Sequence, residues 1–393
     1  MFRYLIYTGL AVTPFLTLKG HGSEYPKEVF ALGVCFAMSL YCLWRNSFKR
    51  FPSKWPFVFI GWLFISALLA PKLGGLNLFG AGNVDGLWNY KAIFYFLVYF
   101  LGVMAVYSAN ISTAHIKKCM VIICWCGLVM SIYGTAQFFG IDQFFTLSDN
   151  PLTKNVTAYQ VTGSMGHPNR FGSFILLCIP SAFYLKKYWM AALMVAGIAI
   201  SQSMSAYIAL AVGGVLWGSY KYKFVLILVG IGLTGILIFL SLNTGFKEKI
   251  FNSGWDNGRF GVWGAAIADV TTPFGDDGIT YFWSGFGPGS FEYIFPGKNN
   301  SPFLEAKNEW LEIFYRAGFV GIVIVIKMIY EDGRKIFMNL KDNPMAMAFI
   351  YTLIIASVCA LGIPIWHKGA HCFYTMVMVG VLYKLKENHG LQT

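Results

Sequence analysis

MVIICWCGLVMSIYGTAQFF, Met120 to Phe139, runs for twenty residues without an aspartate, glutamate, lysine, arginine or histidine. A helix rises 1.5 Å per residue, so a run of about 20 apolar residues covers the ~30 Å of hydrocarbon in a bilayer. The rest of the chain repeats the pattern. Of 393 residues, 56% are hydrophobic and only 12% charged, and the mean hydropathy is +0.57. That balance excludes an ordinary soluble globule and points to a polytopic membrane protein.

Hydropathy divides the chain into about twelve expected crossings. They are Tyr4 to Leu18, Val29 to Trp44, Pro56 to Ala70, Ala92 to Tyr107, Met120 to Phe139, Phe171 to Leu185, Trp189 to Ser201, Ala206 to Trp217, Phe224 to Leu242, Leu311 to Met328, Met345 to Ile363 and Phe373 to Tyr383. The first run follows Arg3 as a signal peptide would, but TPFLTLKG holds no small-residue cleavage site, so an uncleaved first helix is expected. The apolar stretch from Trp189 to Trp217 is broken only by SQSMS. One long helix there would put Lys186/Lys187 and Lys221/Lys223 on opposite sides, so two helices in a tight hairpin are predicted.

The net charge of +12 sits in short loops: Arg45, Lys49, Arg50 and Lys54; Lys117 and Lys118; Lys186 and Lys187; Lys221 and Lys223; Arg334, Lys335 and Lys341. This is the positive-inside pattern of a membrane protein rather than a nucleic-acid surface, and it places both termini in the cytoplasm. All eight cysteines fall in or at the ends of apolar runs, with neither a disulfide framework nor zinc spacing, and no metal is expected.

No inner loop is long enough for a soluble domain, so residues 1–393 are read as one membrane domain. The outer side differs. About thirty residues precede Arg170, and about sixty-five separate Asn243 from Glu309, beyond usual loop lengths. The second loop, residues 243–310, is rich in aromatics and glycine and is expected to fold against the bundle as a large outer loop. Within it Phe260, Trp263, Ala266, Ile267 and Val270 recur at helical spacing, predicting a helix on the membrane surface with Arg259 at its start.

Three segments carry candidate chemistry. WSGFGPGS packs Gly285, Gly287, Pro288 and Gly289 into five positions, which reads either as a structural turn or as backbone N–H groups presented to an anion. In LEAKNEWLEIFYRAGFVG, Leu304 to Gly321, Lys307, Trp310, Leu311 and Phe314 share a face and Glu312 precedes Arg316 at (i, i+4). Simple interfacial anchoring would place the same residue types there. GHPNR sets His167, Asn169 and Arg170 before a crossing, either as a polar site or as a helix entrance with Asn169 as N-cap.

In this order the segments resemble the superfamily of O-antigen ligases, O-antigen polymerases and bacterial O-oligosaccharyltransferases. Gly166-His167-Pro168-Asn169 is similar to a GxPN-type motif, and Arg259 with Trp263 to an Arg-x-x-x-Trp pattern. Gly285 to Phe291 is similar to a GxGPGSF-like turn. Asn308-Glu309-Trp310-Leu311-Glu312, with Ala317 and Gly318 beyond, is similar to an HNEYLQ-like motif. The likeness covers Gly163 to Gly321 and the helix count.

The resemblance implies an all-α, GT-C-like membrane fold. It also implies transfer of a glycan from an undecaprenyl-diphosphate carrier to an acceptor hydroxyl, on a lipid A core or another glycan, at the periplasmic face. Membrane lipids would surround the enzyme, and no nucleotide sugar, cofactor or metal is implied. Diphosphate gathers charge as it leaves, so fixed cations are needed, and a guanidinium such as Arg259 holds phosphate oxygens bidentately. Arg259, Lys307 and Glu309 are the expected catalytic residues; His167, Asn169, Arg170, Trp263, Gly287, Asn308 and Arg316 are the expected substrate contacts.

Two positions depart from the family pattern. Lys307 stands where ligases have a histidine, and Ser203-Met204-Ser205 stands where they have Ser-Arg-Gly or Ser-Arg-Ser. Lys307 then reads as a phosphate clamp, with Arg170 a second cation, and Glu309, His167 or no strong base would activate the acceptor. Ligase and polymerase differ only in the acceptor. A catalytically inactive carrier-binding relative and a transporter are the alternatives, although no internal repeat and no pair of broken helices marks a transporter here.

Overall fold

The computed structural model describes residues 1–16, 25–70, 86–141, 161–220, 259–272, 281–291, 308–361 and 369–390. Among these the regular structure is all helix, with no strand. The helices are α1 (Phe2–Val12), α2 (Tyr25–Trp44), α3 (Trp55–Leu69), α4 (Gly86–Ser108), α5 (Thr113–Phe138), α6 (Pro168–Tyr184), α7 (Tyr188–Ser201), α8 (Met204–Tyr220), α9 (Arg259–Thr271), α10 (Glu309–Leu340), α11 (Pro344–Cys359) and α12 (Gly369–Gly390). Single 3-10 turns follow α1 at Thr13–Phe15 and precede α6 at Gly163–Met165.

Four helices contain segments long and apolar enough to cross a membrane: Pro26–Trp44, Lys91–Ser108, Thr113–Phe138 and Glu309–Leu340. Five further helices are apolar but shorter, among them Trp55–Leu69, Tyr188–Ser201 and Pro344–Cys359. Many of their outward side chains are large and apolar, including Phe36, Leu43, Ile65, Ile132, Ile208 and Ile326. Hydrocarbon solvates such a surface and water does not, which is consistent with a membrane protein. The expected crossing Phe224 to Leu242 lies outside the described residues.

The expected break at SQSMS is present, with α7 ending on Gln202 in the left-handed region and α8 starting at Met204. The two do not pack side by side as a tight hairpin would, since α7 lies on α5 and α6 and α8 on α11 and α6. The expected span from Leu311 to Met328 is exceeded. α10 is 32 residues long and carries Glu331, Asp332, Arg334 and Lys335 as helix rather than loop.

From α1 to α8 successive helices reverse direction, and the helix ends gather into two sets. At one end Arg3 of α1 meets His115 of α5 at 2.8 Å, and the segment after α2 joins α12 through Lys49 and Glu387 at 2.6 Å. The Ser53 hydroxyl donates to buried Asp332, and Trp55 Nε1 to Glu331 at 2.8 Å. At the other end lie the starts of α2, α6, α8, α10 and α12 and the ends of α5, α7 and α11. α6 packs on α5, α7 and α11, α4 lies between α2 and α12, and α3 packs along α10.

Candidate functional site

α10 enters the bundle through a capped turn. Asn308 Oδ1 accepts from the amides of Trp310 at 3.1 Å and Leu311 at 3.2 Å, satisfying two of the donors a helix start leaves open. The Glu309 amide donates to Ala360 O at the end of α11, 2.8 Å away. Glu309 and Glu312 are both buried. The predicted (i, i+4) partner of Glu312 is in place, with Arg316 Nη2 on Glu312 Oε2 at 2.9 Å.

Two turns in, the helix breaks. Gly318 takes φ 66 and ψ −169, outside helical space. The backbone groups released by the break are bonded elsewhere. Tyr315 O accepts from the Phe286 amide at 2.8 Å and Arg316 O from the Gly287 amide at 3.0 Å. Ala317 O accepts from Trp62 Nε1 at 2.7 Å, and the Ser66 hydroxyl of α3 reaches Ser284 O at 2.6 Å and Arg316 O at 2.8 Å. In return Phe319 and Val320 donate to the carbonyls of Phe282 and Trp283 at 2.8 and 3.3 Å. Irregular backbone is tolerated at membrane depth only when protein satisfies it in this way.

The glycine turn is therefore a joint between segments. Amides of Phe286 and Gly287 already serve α10, and that of Gly285 donates to Tyr281 O at 2.7 Å, so these N–H groups are committed within the protein. Gly285 and Gly318 touch backbone to backbone: a Cβ on either would lie 2.3–2.6 Å from atoms of the other strand of chain. Both also have positive φ, of 70 and 66.

α9 completes the assembly. Ala266 and Val270 are fully buried, in one cluster with Phe286 and Phe291 of the turn and Leu311 and Tyr315 of α10, and Trp263 packs against it. Tyr315 hydroxyl donates to buried Asp269 at 3.3 Å. The predicted apolar face is thus split: Ala266 and Val270 point to α10, whereas Phe260 and Ile267 are exposed. Arg259 forms the first residue of α9, but its side chain, like the whole of Lys307, lies outside the described residues.

The α6 entrance stands at the same end. Gly166 is left-handed, and the N-cap is His167, not the expected Asn169: His167 Nδ1 accepts from the Asn169 amide at 3.2 Å, with Pro168 at the first helical position. Proline there lacks the N–H that would go unused, which pushes the cap one step before it. One turn on, Ser173 donates to Arg170 O at 3.1 Å and pairs with His371 Nε2 at 2.9 Å.

The first turn of α12 links the parts. Gly369 lies so close to α2 that a Cβ would meet Glu28 N at 2.5 Å. His371 is buried against Ser173 and Phe174, and Cys372 is within electrostatic reach of both Glu28 and Glu309. Lys27, fully buried, donates to Ser164 O just before the GHPNR segment.

One end of the bundle thus gathers His167, Asn169, Arg170, Asn308, Glu309 and Arg316, and the cluster of α9 brings Trp263 and Gly287 against the same stretch of α10. Lys27, Glu28, Ser173, Glu312 and His371 join them without having been singled out from the sequence as site residues. Their signal was an ionisable or polar side chain within a turn of an apolar run, which is costly in lipid. The starts of α2, α6, α10 and α12 meet here, each with a positive dipole end, and Lys27, Arg170 and Arg316 stand among the carboxylates of Glu28, Glu309 and Glu312, with Arg316 already paired to Glu312. Among the described residues no three histidine, cysteine, aspartate or glutamate side chains stand together as metal ligands. The chain matches no family model, and no curated protein matches it.

Proposed function

We propose that this protein transfers a glycan from an undecaprenyl-diphosphate carrier to an acceptor hydroxyl, in the manner of an O-antigen ligase or polymerase, at the outer face of a bacterial inner membrane crossed about twelve times. The observation that carries the reading is convergence. The Arg259-x-x-x-Trp263 helix, the Gly285–Phe291 turn and the Asn308–Arg316 helix start, distant along the chain, pack in one cluster. GHPNR lies at the same end of the bundle, opposite Lys49, Arg334 and Lys335.

In this reaction the sugar–phosphate C–O bond breaks and its electron pair leaves with the diphosphate. The acceptor oxygen bonds to the sugar carbon, and its proton passes to a base or to water. Charge grows on the leaving group, so Arg259 and Lys307 act as its clamp, supported by the helix starts and Arg170. Glu309 and His167 are the candidate proton acceptors.

One feature favours a second reading. A broken α10 is what transporters use to bind solutes. Here, however, the carbonyls of Tyr315, Arg316 and Ala317 and the amides of Phe319 and Val320 all bond to α3 or to residues 282–287, so these groups already serve the protein rather than a solute.

The deciding experiment places full-length protein in proteoliposomes with carrier-linked glycan and acceptor. Removing one preorganised charge contact to a leaving group costs about 10²–10³ in rate. Arg259→Ala is expected to lose that much transfer while its thermal unfolding stays within a few degrees of wild type. Retained transfer overturns the proposal.

A further inference from the structure

Resting on the reading above, we propose that the Ser201–Ser205 turn between α7 and α8 is a neutral sugar subsite, with the Gln202 amide donating to a hydroxyl of the donor's first sugar. Gln202 caps α7 at φ 52 and ψ 32, a left-handed conformation that glycine favours and glutamine seldom adopts. Its side chain is buried, with the residue 5% exposed, yet Nε2 has no hydrogen-bond partner in the protein. A buried donor left unmet is costly, and a strained backbone that holds it there is a mark of binding sites.

The surroundings are hydroxyl-rich. Ser201, Ser203 and Ser205 are buried, and Ser203 Oγ lies 3.2 Å from Ser205 Oγ. The turn lies against α6 beside the candidate site: a Cβ on Gly172 would fall 2.9 Å from Ser201 Oγ, two residues from Arg170. Met204, next to Ser203 in the turn, is 42% exposed, so the turn reaches the molecular surface. No residue from Ser201 to Ser205 is charged. Ser201 already donates to Ile198 O at 2.6 Å and Ser203 Oγ accepts from the Ala206 amide at 3.3 Å, which leaves the second lone pairs, the Ser205 hydroxyl and the Gln202 amide for a polyhydroxylated ring; a diphosphate would call for a cation.

The test uses full-length protein in nanodiscs, titrated by calorimetry with undecaprenyl diphosphate carrying a single N-acetylglucosamine and with bare undecaprenyl diphosphate. Gln202→Gly keeps the left-handed cap and removes the amide. It is expected to unfold no earlier than wild type and to weaken the sugar-bearing lipid about tenfold, equivalent to ~1.4 kcal/mol, while binding of the bare lipid stays within twofold. Gln202→Asn, which also tolerates this backbone, is expected to show the same split with a shortened reach. Equal weakening of both lipids, or of neither, overturns the sugar subsite. Wild-type protein that binds neither lipid overturns the carrier reading itself, and this proposal with it.

Discussion

Glu312 is fully buried, and Arg316 Nη2 sits 2.9 Å from it. A lone carboxylate inside a bundle is far costlier than a paired one, and breaking a buried pair from one side costs about 3–5 kcal/mol. Arg316→Met is therefore expected to lower unfolding stability by about 3 kcal/mol in detergent, and adding Glu312→Gln to recover at least half of that loss. A double variant as unstable as the sum of the two singles would show that the pair is not coupled. This pair was legible in the sequence because (i, i+4) spacing on a helix sets side chains face to face. Ser173 and His371 were not, since 198 residues separate them and nothing local encodes that meeting.

At the scale of the element, α10 owes its shape to Gly318. An alanine there would need a left-handed backbone, costing ~1–2 kcal/mol, and its Cβ would lie 2.3 Å from Trp283 O. Gly318→Ala is expected to destabilise by about 3 kcal/mol or more and to open residues 281–291 to limited proteolysis. Unchanged cleavage would show that the turn holds its place without the break. Apolar runs of membrane length announced most helices, and the break at SQSMS followed from its polarity and the flanking lysine pairs, because lipid allows few alternatives. The break itself was hidden. AGFVG reads as ordinary membrane helix, and its cause lies in Trp62, Ser66 and the glycine turn, remote in sequence. For the same reason the sequence leaves the turn open to either reading, whereas in the structure the Phe286 and Gly287 amides donate to α10.

Across the whole molecule, the basic end is tied together by Glu387, which bonds Lys49 at 2.6 Å and Lys384 at 2.9 Å. Burial pushes the Glu387 carboxyl up, but the two ammonium groups outweigh it and hold the group below its usual value. A carboxylate lowered in the folded state stabilises above the unfolded value of about 4.3, and that contribution fades as pH falls through the lower folded value. Lys49 is 42% exposed, so screening leaves about 0.5 kcal/mol. Glu387→Gln is expected to unfold that much more easily at pH 7 and to match wild type near pH 3; a gap that widens in acid would reverse the assignment. The α3–α10 joint has a consequence for synthesis. The indole of Trp62 and the hydroxyl of Ser66 leave the ribosome more than two hundred residues ahead of Arg316 and Ala317, whose carbonyls they bind. The early helices must wait in the bilayer with those donors unanswered, so nascent chains released before α10 are natural targets for quality-control proteases.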